Sequence, residues 1–515
     1  AKTSVYAKIA VSSAVYSMDR PYDYIVPGEL MENIAPGMRV EVPFGRGNKK
    51  REGIILALSG RSDKAKLKSI SAVLDEEPII NKEQIGLAIW MHDRFFCTVY
   101  QAVHAMLPSG AWFKNGVQRI SDKTQNYAVL VIPSEDALEI AETRKRRAPV
   151  QAEILRLLAS IGEGAVSEIC YFTGCTQGAV TSLKKQGLIA LEKRQVLRRP
   201  ENYDGADNYV MPELTESQKQ AFEGILPLLH ESSPKAALLY GVTGSGKTSV
   251  YIRLVDEVIK MGKTAIVLVP EISLTPQLMR MFTSCFERTA VLHSGLAAGE
   301  RYDEWKRIKS GQVDVVIGTR SAVFAPVDNL GIIIIDEEQE YTYKSENSPR
   351  YHARDIAKYR CAHWNALMLL GSATPAVESM YNARSGRYDL FHLAGRYNEK
   401  ALPGVKIVDM KRELRRGNGG CLSSYLVSEL QKNLDNGEQS ILFINRRGTY
   451  TFITCGECGF IKSCPKCSVS LTYHSANRRL MCHYCGYSEP VDERCPSCGG
   501  RLKFVGMGTQ KVEQE

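Results

Sequence analysis

Residues 241–248 read GVTGSGKT, and this segment constrains the fold of the chain more than any other. An apolar run over residues 236–240 precedes it, and an amphipathic pattern typical of a helix follows it. In such a strand–loop–helix turn, glycines let backbone N–H groups surround phosphate oxygens, and the helix N-terminus adds a favourable partial charge. The segment therefore predicts a parallel sheet that binds ATP with Mg²⁺. The residues expected to contact the nucleotide here are Gly241, Val242, Thr243, Gly244, Ser245, Gly246, Lys247 and Thr248.

Two carboxylates, Asp336 and Glu337, follow the apolar segment over residues 332–335. A position at the carboxyl end of a parallel strand puts them beside the phosphate loop. We expect Lys247 to reach the β and γ phosphates, and Thr248 and Asp336 to hold Mg²⁺. Glu337 is expected to orient and deprotonate the attacking water. Lys247, Asp336 and Glu337 are therefore the predicted catalytic residues.

Apolar strands alternate with helical patterns from residue 211 onward, which predicts a parallel sheet covered by helices. The predicted strands cover residues 236–240, 264–269, 313–318, 331–335 and 366–370, and the pattern resumes at residues 440–444. At 515 residues the chain is too long for one core, so we expect a multidomain α/β protein.

Charge and hydropathy limit the partners and the cellular location that we expect. The net charge of +9 permits a polyanionic partner without requiring one. No apolar run approaches the roughly 18 residues of a membrane span, and the N-terminus has no secretory signal pattern. We expect a cytoplasmic protein with no membrane partner.

The first 200 residues divide into two predicted modules. Residues 1–115 show short strands and turns and then a helical tail. The basic run over residues 143–149, which ends in a proline, predicts a linker and a domain boundary. Residues 148–200 give three short helical patterns and an extended segment, an order that suits a winged helix. A three-helix interaction module without nucleic-acid contact is the alternative.

Eight of the 14 cysteines form four C-x-x-C pairs, a clustering that indicates metal rather than disulfides. They supply ligands for two closed tetrahedral Cys₄ sites, so two structural Zn²⁺ ions are expected. Nested, sequential and crossed pairings are all open, and the inner spacing, which is close to that of a zinc ribbon, favours the nested one. In that arrangement Cys455, Cys458, Cys495 and Cys498 form site 1, and Cys464, Cys467, Cys482 and Cys485 form site 2.

Several segments, in this order along the chain, resemble the motifs of superfamily 2 helicases. Residues 214–218 resemble the adenine-reading segment, which assigns Gln218 to ATP. Residues 269–274 and 318–321 resemble strand-contacting motifs and make Arg320 a candidate DNA contact. Residues 371–375 resemble the motif that couples hydrolysis to movement, through Ser372 and Thr374.

Further details make the whole chain similar to the primosomal protein N′ family of replication-restart DNA helicases. Residues 340–355 resemble its aromatic-rich loop, which gives Tyr341 and Tyr343 as DNA-stacking candidates. Residues 445–448 and 506–513 resemble parts of its second motor lobe on either side of the cysteines. The N-terminal domain resembles its cap for the 3′ end of a nascent strand, with a pocket lined by Tyr22, Asp23, Gly45 and Lys68.

The resemblance implies an ATP-dependent 3′ to 5′ helicase that recognises stalled or collapsed forks and initiates replication restart by primosome assembly. Its implied partners are forked and single-stranded DNA, single-stranded-DNA-binding protein and helicase-loading proteins, in the bacterial cytoplasm with the nucleoid. A fork-recognition scaffold with a secondary ATPase, and a translocase of the restriction or remodelling kind, are the alternatives. The resulting domain plan is 1–115 for 3′-end binding, 148–200 for the winged helix, 211–396 for lobe 1, 397–454 for the start of lobe 2, 455–500 for zinc and 501–515 for the return to lobe 2.

Two departures from the family pattern matter. Gln339 stands where that family typically has histidine, and it keeps a hydrogen-bonding group at the coupling position. The sequence also ends at Glu515, before the motifs that would supply an arginine finger, which is worth about 10³ to 10⁵ in rate in related enzymes. We therefore expect a fragment that binds nucleotide better than it hydrolyses it.

Overall fold

The computed structural model describes the chain except for a set of short segments. These are residues 1–4, 13, 65, 115–116, 119–123, 196–197, 199–210, 271–275, 394, 396–402, 419, 421, 444–450, 467–468, 475–478, 483–484 and 507–515. The chain forms two compact units, Ala1–Lys400 and Ala401–Glu515. Among the described residues, no helix is both long enough and apolar enough to span a bilayer.

The N-terminal part of the first unit is a six-stranded sheet, as its short alternating segments predict. Its strands are β1 (Tyr6–Val11), β2 (Tyr22–Ile25), β3 (Arg39–Phe44), β4 (Lys49–Ser59), β5 (Lys68–Ser69) and β6 (Ala72–Val73), in the order β5-β2-β1-β4-β3-β6. One face buries its own small core, which includes Ile9, Val40 and Ile55. Two helices follow, α1 (Lys82–Phe95) and α2 (Val99–Met106), and then a pair of short antiparallel strands, β7 (Phe113–Lys114) and β8 (Val117–Gln118).

The next module has three helices on a small antiparallel sheet, and it begins earlier than its helical patterns predict. Its elements are β9 (Thr124–Leu130), α3 (Ser134–Arg144), α4 (Pro149–Ile161), β10 (Glu163–Ala165), α5 (Val166–Thr173), α6 (Gln177–Lys185) and β11 (Ile189–Gln195), with strand order β10-β9-β11. Because β9 pairs with both later strands, the boundary predicted at 143–149 is wrong. Pro149 occupies the start of α4, where its missing N–H costs nothing, so this proline starts a helix rather than marking a linker. The winged helix itself stays a prediction.

A seven-stranded parallel sheet forms the centre of the first unit. Its elements are α7 (Glu216–Ile225), β12 (Lys235–Gly241), α8 (Lys247–Lys260), β13 (Thr264–Leu268), α9 (Pro276–Cys285), β14 (Thr289–Leu292), α10 (Ala298–Lys309), β15 (Val315–Gly318), β16 (Leu330–Ile335), α11 (Ala353–Trp364), β17 (Leu367–Ser372), α12 (Val377–Arg384) and β18 (Asp389–Leu393). The strand order is β14-β15-β13-β16-β17-β12-β18. All five predicted strands are confirmed, and β14 and β18 are additional. The order places the carboxyl ends of β16, β17 and β12 side by side.

Helices α1 and α2 pack against this parallel sheet rather than forming a core with the N-terminal strands alone. Leu87, Met91 and Val103 lie in the same buried cluster as residues of β16 and α11. The fully buried Arg360 of α11 bonds both carboxylate oxygens of Glu83 in α1, at 3.0 and 3.2 Å. The helical tail of the first predicted domain therefore belongs structurally to lobe 1.

The described residues of the second unit form two helices and a five-stranded antiparallel sheet. Its elements are α13 (Met410–Arg415), α14 (Ser424–Asp435), β19 (Thr451–Cys455), β20 (Thr472–His474), β21 (Arg479–Met481), β22 (Ser488–Pro490) and β23 (Leu502–Gly506), in the order β22-β21-β20-β19-β23.

The strand predicted at 440–444 is wrong over residues 440–443, which have no strand structure. Ile441 and Phe443 are 95% and 84% exposed. No described segment of this unit pairs with them, and an apolar run becomes a strand only when a neighbouring strand satisfies its backbone. Residue 444 and the lobe-2 segments predicted at 445–448 and 507–513 lie outside the described residues.

Candidate functional site

The phosphate loop joins β12 to α8 as its spacing predicts. Gly244 and Gly246 adopt φ angles of +79° and +81°, which glycine reaches without steric cost. The loop closes through a hydrogen bond from the Ser245 N–H to the Val242 carbonyl. Lys247 starts α8 and is 8% exposed, and its Nζ donates to the Gly241 carbonyl at 3.0 Å. The loop therefore turns backbone N–H groups and one amine toward the same small volume, a geometry suited to phosphate.

Gln218 is fully buried beneath this loop. Its Oε1 accepts from the Thr215 N–H at the start of α7, and its Nε2 donates to the Ser245 carbonyl at 2.9 Å. A Cβ on Gly246 would lie only 2.1 Å from Nε2, so only glycine fits at this position. Gln218 thus fixes the position of the phosphate loop, and its predicted contact with adenine stays a prediction.

Asp336 lies at the end of β16, next to the phosphate loop. Tyr251 of α8 donates a 2.9 Å hydrogen bond to Asp336 Oδ1, and a Cβ on Gly371 would lie 1.6 Å from that hydroxyl. Burial raises the pKa of Asp336 to about 6, although the Tyr251 hydrogen bond acts in the opposite direction. A carboxylate desolvated in this way is stabilised by a cation, which agrees with the Mg²⁺ role predicted for it.

Glu337 has an unusual backbone conformation. Its φ angle of +45° is strained for a non-glycine residue, a feature that clusters at functional sites. The strained turn places Glu337 Oε1 4.0 Å from Lys247 Nζ. The three predicted catalytic residues are therefore brought together by the ends of β12 and β16.

Gln339 connects Glu337 to the end of β17. Its Nε2 donates to Glu337 Oε2 at 2.8 Å, and its Oε1 accepts from the Ser372 hydroxyl. Ser372 Oγ in turn accepts from the Thr374 N–H at 2.9 Å. The three residues assigned to coupling thus form one hydrogen-bonded chain that ends on the predicted catalytic carboxylate.

We expect Gln339→Ala to lower the stimulation of ATP hydrolysis by single-stranded DNA about three- to tenfold, because it removes two hydrogen bonds from this chain. ATP affinity should be retained, since Gln339 does not contact the phosphate loop. Gln312→Ala, at an exposed position on the same lobe, is the matched control. Steady-state ATPase rates with and without oligonucleotide measure the stimulation. Unchanged stimulation in Gln339→Ala would show that these hydrogen bonds do not couple DNA binding to ATP hydrolysis.

Glu338, which the sequence reasoning did not assign, organises the other side of the acidic motif. It is 1% exposed and accepts hydrogen bonds from the Ala376 N–H, Ser379 Oγ and Arg354 Nη1. These contacts connect the motif to the starts of α11 and α12. A third acidic residue directly after Asp336 and Glu337 was the available signal, because a carboxylate buried at a strand end needs such partners.

The aromatic-rich loop is the part of the segment 340–355 that precedes α11, residues 340–351, and it has one exposed tyrosine, Tyr341, and two buried ones, Tyr343 and Tyr351. Tyr341 is 78% exposed and is available to stack on a base. Tyr343 is 1% exposed and donates to the Asp336 carbonyl at 2.7 Å, so its assignment as a stacking surface is corrected. Arg320 donates to the carbonyls of Thr342 and Lys344 at 3.1 and 2.7 Å. The first part of the loop is thus attached to the acidic motif through Tyr343 and to the candidate DNA-contacting arginine through the carbonyls on either side of it.

His352 caps α11 directly after this loop, with its Nδ1 accepting the Arg354 N–H at 3.1 Å. Burial, followed by the charge of Arg354, lowers the pKa of His352 to about 4. The unfolded state, with a His pKa near 6.5, therefore binds the extra proton, and stability present above that pH is lost as pH falls toward 4.

We expect His352→Asn, which keeps a capping acceptor but does not titrate, to reduce the fall in melting temperature between about pH 6.5 and pH 4.5. Melting curves across this range measure the difference. His363→Asn, exposed near the end of the same helix, should leave the fall unchanged. Equal slopes for wild type and His352→Asn would contradict the assignment.

Three of the four residues predicted for the N-terminal pocket lie close together. Tyr22 packs edge-on against Phe44 at 5.1 Å, directly before Gly45, which turns the chain with a φ of +71°. Lys68 Nζ donates to the Gly45 carbonyl at 2.7 Å. Asp23 instead accepts from the Ser62 hydroxyl at 2.9 Å. Its side chain leaves the strand on the opposite side from Tyr22, because neighbouring residues of a strand alternate.

The outer cysteine pairs form one cluster, as the nested arrangement predicts. All four sulfurs of Cys455, Cys458, Cys495 and Cys498 lie within 4.8 Å of one another. Backbone N–H groups of Cys458 and Glu457 lower the pKa of the Cys455 thiol to about 7, which favours the thiolate that a metal requires. Four sulfurs with no fifth ligand fit a closed structural zinc site.

The inner cluster brings together Cys464, Cys482 and Cys485, likewise within 4.8 Å. Its predicted fourth ligand, Cys467, lies outside the described residues. Three of the C-x-x-C turns repeat one pattern, in which the N–H of the glycine directly after the second cysteine donates to the carbonyl of the first, as in the bond from Gly486 to the Cys482 carbonyl. The two described groups of sulfurs agree with the nested pairing rather than with the sequential or crossed one.

The fold and the site define an ATP-dependent helicase of the DEAD/DEAH-box class. A DEAD/DEAH box helicase model matches residues 215–383. Models described as the PriA 3′ DNA-binding domain and the PriA DNA helicase Cys-rich region match residues 8–108 and 464–490.

The replication restart protein PriA of Bacillus subtilis is 37% identical over 99% of this chain and 71% of its own length. The PriA of Chlamydia muridarum is 35% identical over 99% of this chain and 68% of its own. The PriA of Haemophilus influenzae is 34% identical over 98% and 68%. The chain belongs to the PriA family of replication restart proteins.

Proposed function

We propose that this protein is an ATP-driven DNA helicase that moves 3′ to 5′, recognises stalled or collapsed forks and initiates replication restart by primosome assembly. The observation that carries the proposal is the hydrogen-bonded chain from Thr374 through Ser372 and Gln339 to Glu337. A simple ATPase has no need to tie its water-activating carboxylate to a neighbouring strand end. A motor needs such a connection, because ATP hydrolysis must change the contacts that the protein makes with DNA.

The N-terminal domain supports the fork-specific part of the proposal. Tyr22, Gly45 and Lys68 lie close together and offer an aromatic ring, a turn backbone and a cation. These groups suit the exposed base and sugar of a strand end. The same domain argues against a general restriction or remodelling translocase.

Two structural Zn²⁺ ions, one in each cysteine cluster, complete the proposed cofactors beside ATP and Mg²⁺. Among the described residues, four sulfurs lie together in the outer cluster and three in the inner one. Single-stranded-DNA-binding protein and helicase-loading proteins are the proposed protein partners, and the bacterial cytoplasm, with the nucleoid, is the proposed location.

Unwinding of forks with and without a nascent 3′ end at the junction tests the proposal. We expect preference for the fork that carries the 3′ end, and we expect Lys68→Ala to reduce this preference by roughly fivefold, the worth of one charge-assisted hydrogen bond. Lys66→Ala, exposed two residues away, is the control.

The possible results separate the candidate functions. A motor that unwinds both forks equally would contradict the 3′-end assignment and favour a general translocase. Fork binding without any unwinding would favour the scaffold.

A further inference from the structure

A groove of about 410 Å³ lies between α1 and α11, away from the phosphate loop. Its lining residues are Trp90 and Arg94 of α1, and Asp355, Lys358 and Tyr359 of α11. The volume falls in the roughly 300–1,000 Å³ range of ligand sites. None of the helicase segments discussed above includes Trp90, Arg94 or Tyr359, so the groove is a separate feature.

Two half-buried aromatic rings form the apolar part of the groove. The centroids of Trp90 and Tyr359 lie 5.1 Å apart with their planes tilted by 36°, and Phe95 supports Trp90 edge-on at 5.5 Å. A Cβ on Gly86 would lie 2.9 Å from the Tyr359 hydroxyl, so the glycine lets α1 approach the ring. The rings are therefore held in place by their packing, which lowers the entropy lost when a flat ligand stacks on them.

The polar part of the groove is predominantly cationic. Arg94 and Lys358 are exposed, and neither forms an ion pair with any residue that the structure describes. A third cation, Lys344, lies 5.9 Å from the centre of the Phe95 ring. Asp355 is the one acidic residue in the lining. Rigid rings bordered by cations are the combination that binds single-stranded nucleic acid, since bases stack and phosphates pair with the charges.

The groove also continues from the aromatic-rich loop. Lys344 belongs to that loop, and its carbonyl accepts the 2.7 Å hydrogen bond from Arg320. α11 begins two residues after the loop ends. A single strand of DNA that contacts Tyr341 and Arg320 can therefore continue from the loop to Trp90.

We propose that this groove binds a nucleotide of single-stranded DNA, with its base on Trp90 and Tyr359 and its phosphates at Arg94 and Lys358. The inference rests on the proposed function, because it adds a contact for the strand on which the motor acts. Charge and ring chemistry favour DNA over an apolar peptide, which would supply no anionic group to Arg94 or Lys358.

Photo-crosslinking locates the contact directly. A thymidine oligonucleotide carrying 5-iododeoxyuridine is irradiated with the protein, and the crosslinked peptides are identified by mass spectrometry. We expect crosslinks within α1 or α11, at Trp90 or Tyr359, and we expect Trp90→Leu to reduce them. Crosslinks at Tyr341 with none in either helix would overturn the proposal.

A salt titration tests the charges without disturbing the packing. The double variant Arg94→Gln, Lys358→Gln should weaken binding of the oligonucleotide about five- to tenfold and lower the slope of log Kd against log salt by about 1.4, since each phosphate contact on a single strand contributes about 0.7. The matched control is Lys82→Gln, Lys219→Gln, which removes two exposed lysines outside the groove. Equal slopes for the two double variants would overturn the proposal.

The fork assay separates this inference from the proposed function. In one outcome, wild-type protein unwinds forks while the double variant Arg94→Gln, Lys358→Gln keeps the wild-type oligonucleotide affinity and salt slope. In that case the groove assignment fails and the proposed function stands. If wild-type protein shows no motor activity but crosslinks still fall at Trp90, the proposed function fails and the DNA groove is supported.

Discussion

Glu337→Gln is expected to lower the rate of ATP hydrolysis by about 10² to 10⁴-fold, the usual contribution of a positioned general base. The amide keeps the size of the side chain and its hydrogen bond to Gln339, but it has no basic lone pair for the attacking water. Nucleotide affinity should remain, because the phosphate loop and Lys247 are untouched. Single-turnover hydrolysis together with equilibrium binding of a fluorescent ATP analogue measures both quantities.

Glu340→Gln is the matched control for this prediction. Glu340 lies three residues later in the same loop, and its side chain makes no contact with the phosphate loop among the described residues. We expect it to hydrolyse ATP at the wild-type rate. Should Glu337→Gln lose ATP binding as well, its role would be structural and the assignment as general base would be wrong.

Removal of zinc is expected to unfold the sheet of β19 to β23. Its described hydrophobic core is small, five buried residues that include two of the cysteines. A domain of this kind depends on metal, and structural zinc sites of zinc-finger peptides contribute about 10–16 kcal/mol at neutral pH. A strong chelator should therefore make residues 451–506 sensitive to protease, while residues 211–393 stay protected.

Cys495→Ser should reduce bound zinc from two ions per chain to one, as measured by elemental analysis. Cys285→Ser, a cysteine of the first unit outside both clusters, is the control and should keep both ions. Full protease resistance after chelation, or an unchanged zinc content in Cys495→Ser, would refute the outer site.

The local parts of the site were predictable because each depends on a short contiguous segment. The spacing from Gly241 to Thr248 fixes a loop whose geometry is set by its own glycines, and Asp336 follows an unmistakably buried strand. The nested cysteine pairing was favoured by the inner zinc-ribbon spacing and by the family resemblance, while the spacing alone left the sequential and crossed pairings open.

What could not be predicted depends on contacts distant in sequence. Tyr343 follows Tyr341 by two residues, and only the position of Asp336 decides that one ring is buried and the other exposed. Strand β9 lies before the supposed linker, and its pairing with β11 is invisible to local periodicity. Strands β14 and β18 escaped prediction, and both are edge strands of the sheet, whereas the strands that lie between them were recognised from their apolar runs.

The buried pair of Arg360 and Glu83 decides how this protein can be dissected for expression. A truncation that starts lobe 1 after residue 115 would remove Glu83 and leave a guanidinium with 0% exposure in an apolar core. Loss of one member of a buried pair costs about 3–5 kcal/mol, a large fraction of the stability of a domain. A cut near residue 78, before α1, separates the N-terminal sheet while leaving both charges in the same polypeptide. We expect recombinant fragments that are cut near residue 78 to stay folded, and fragments that start after residue 115 to aggregate.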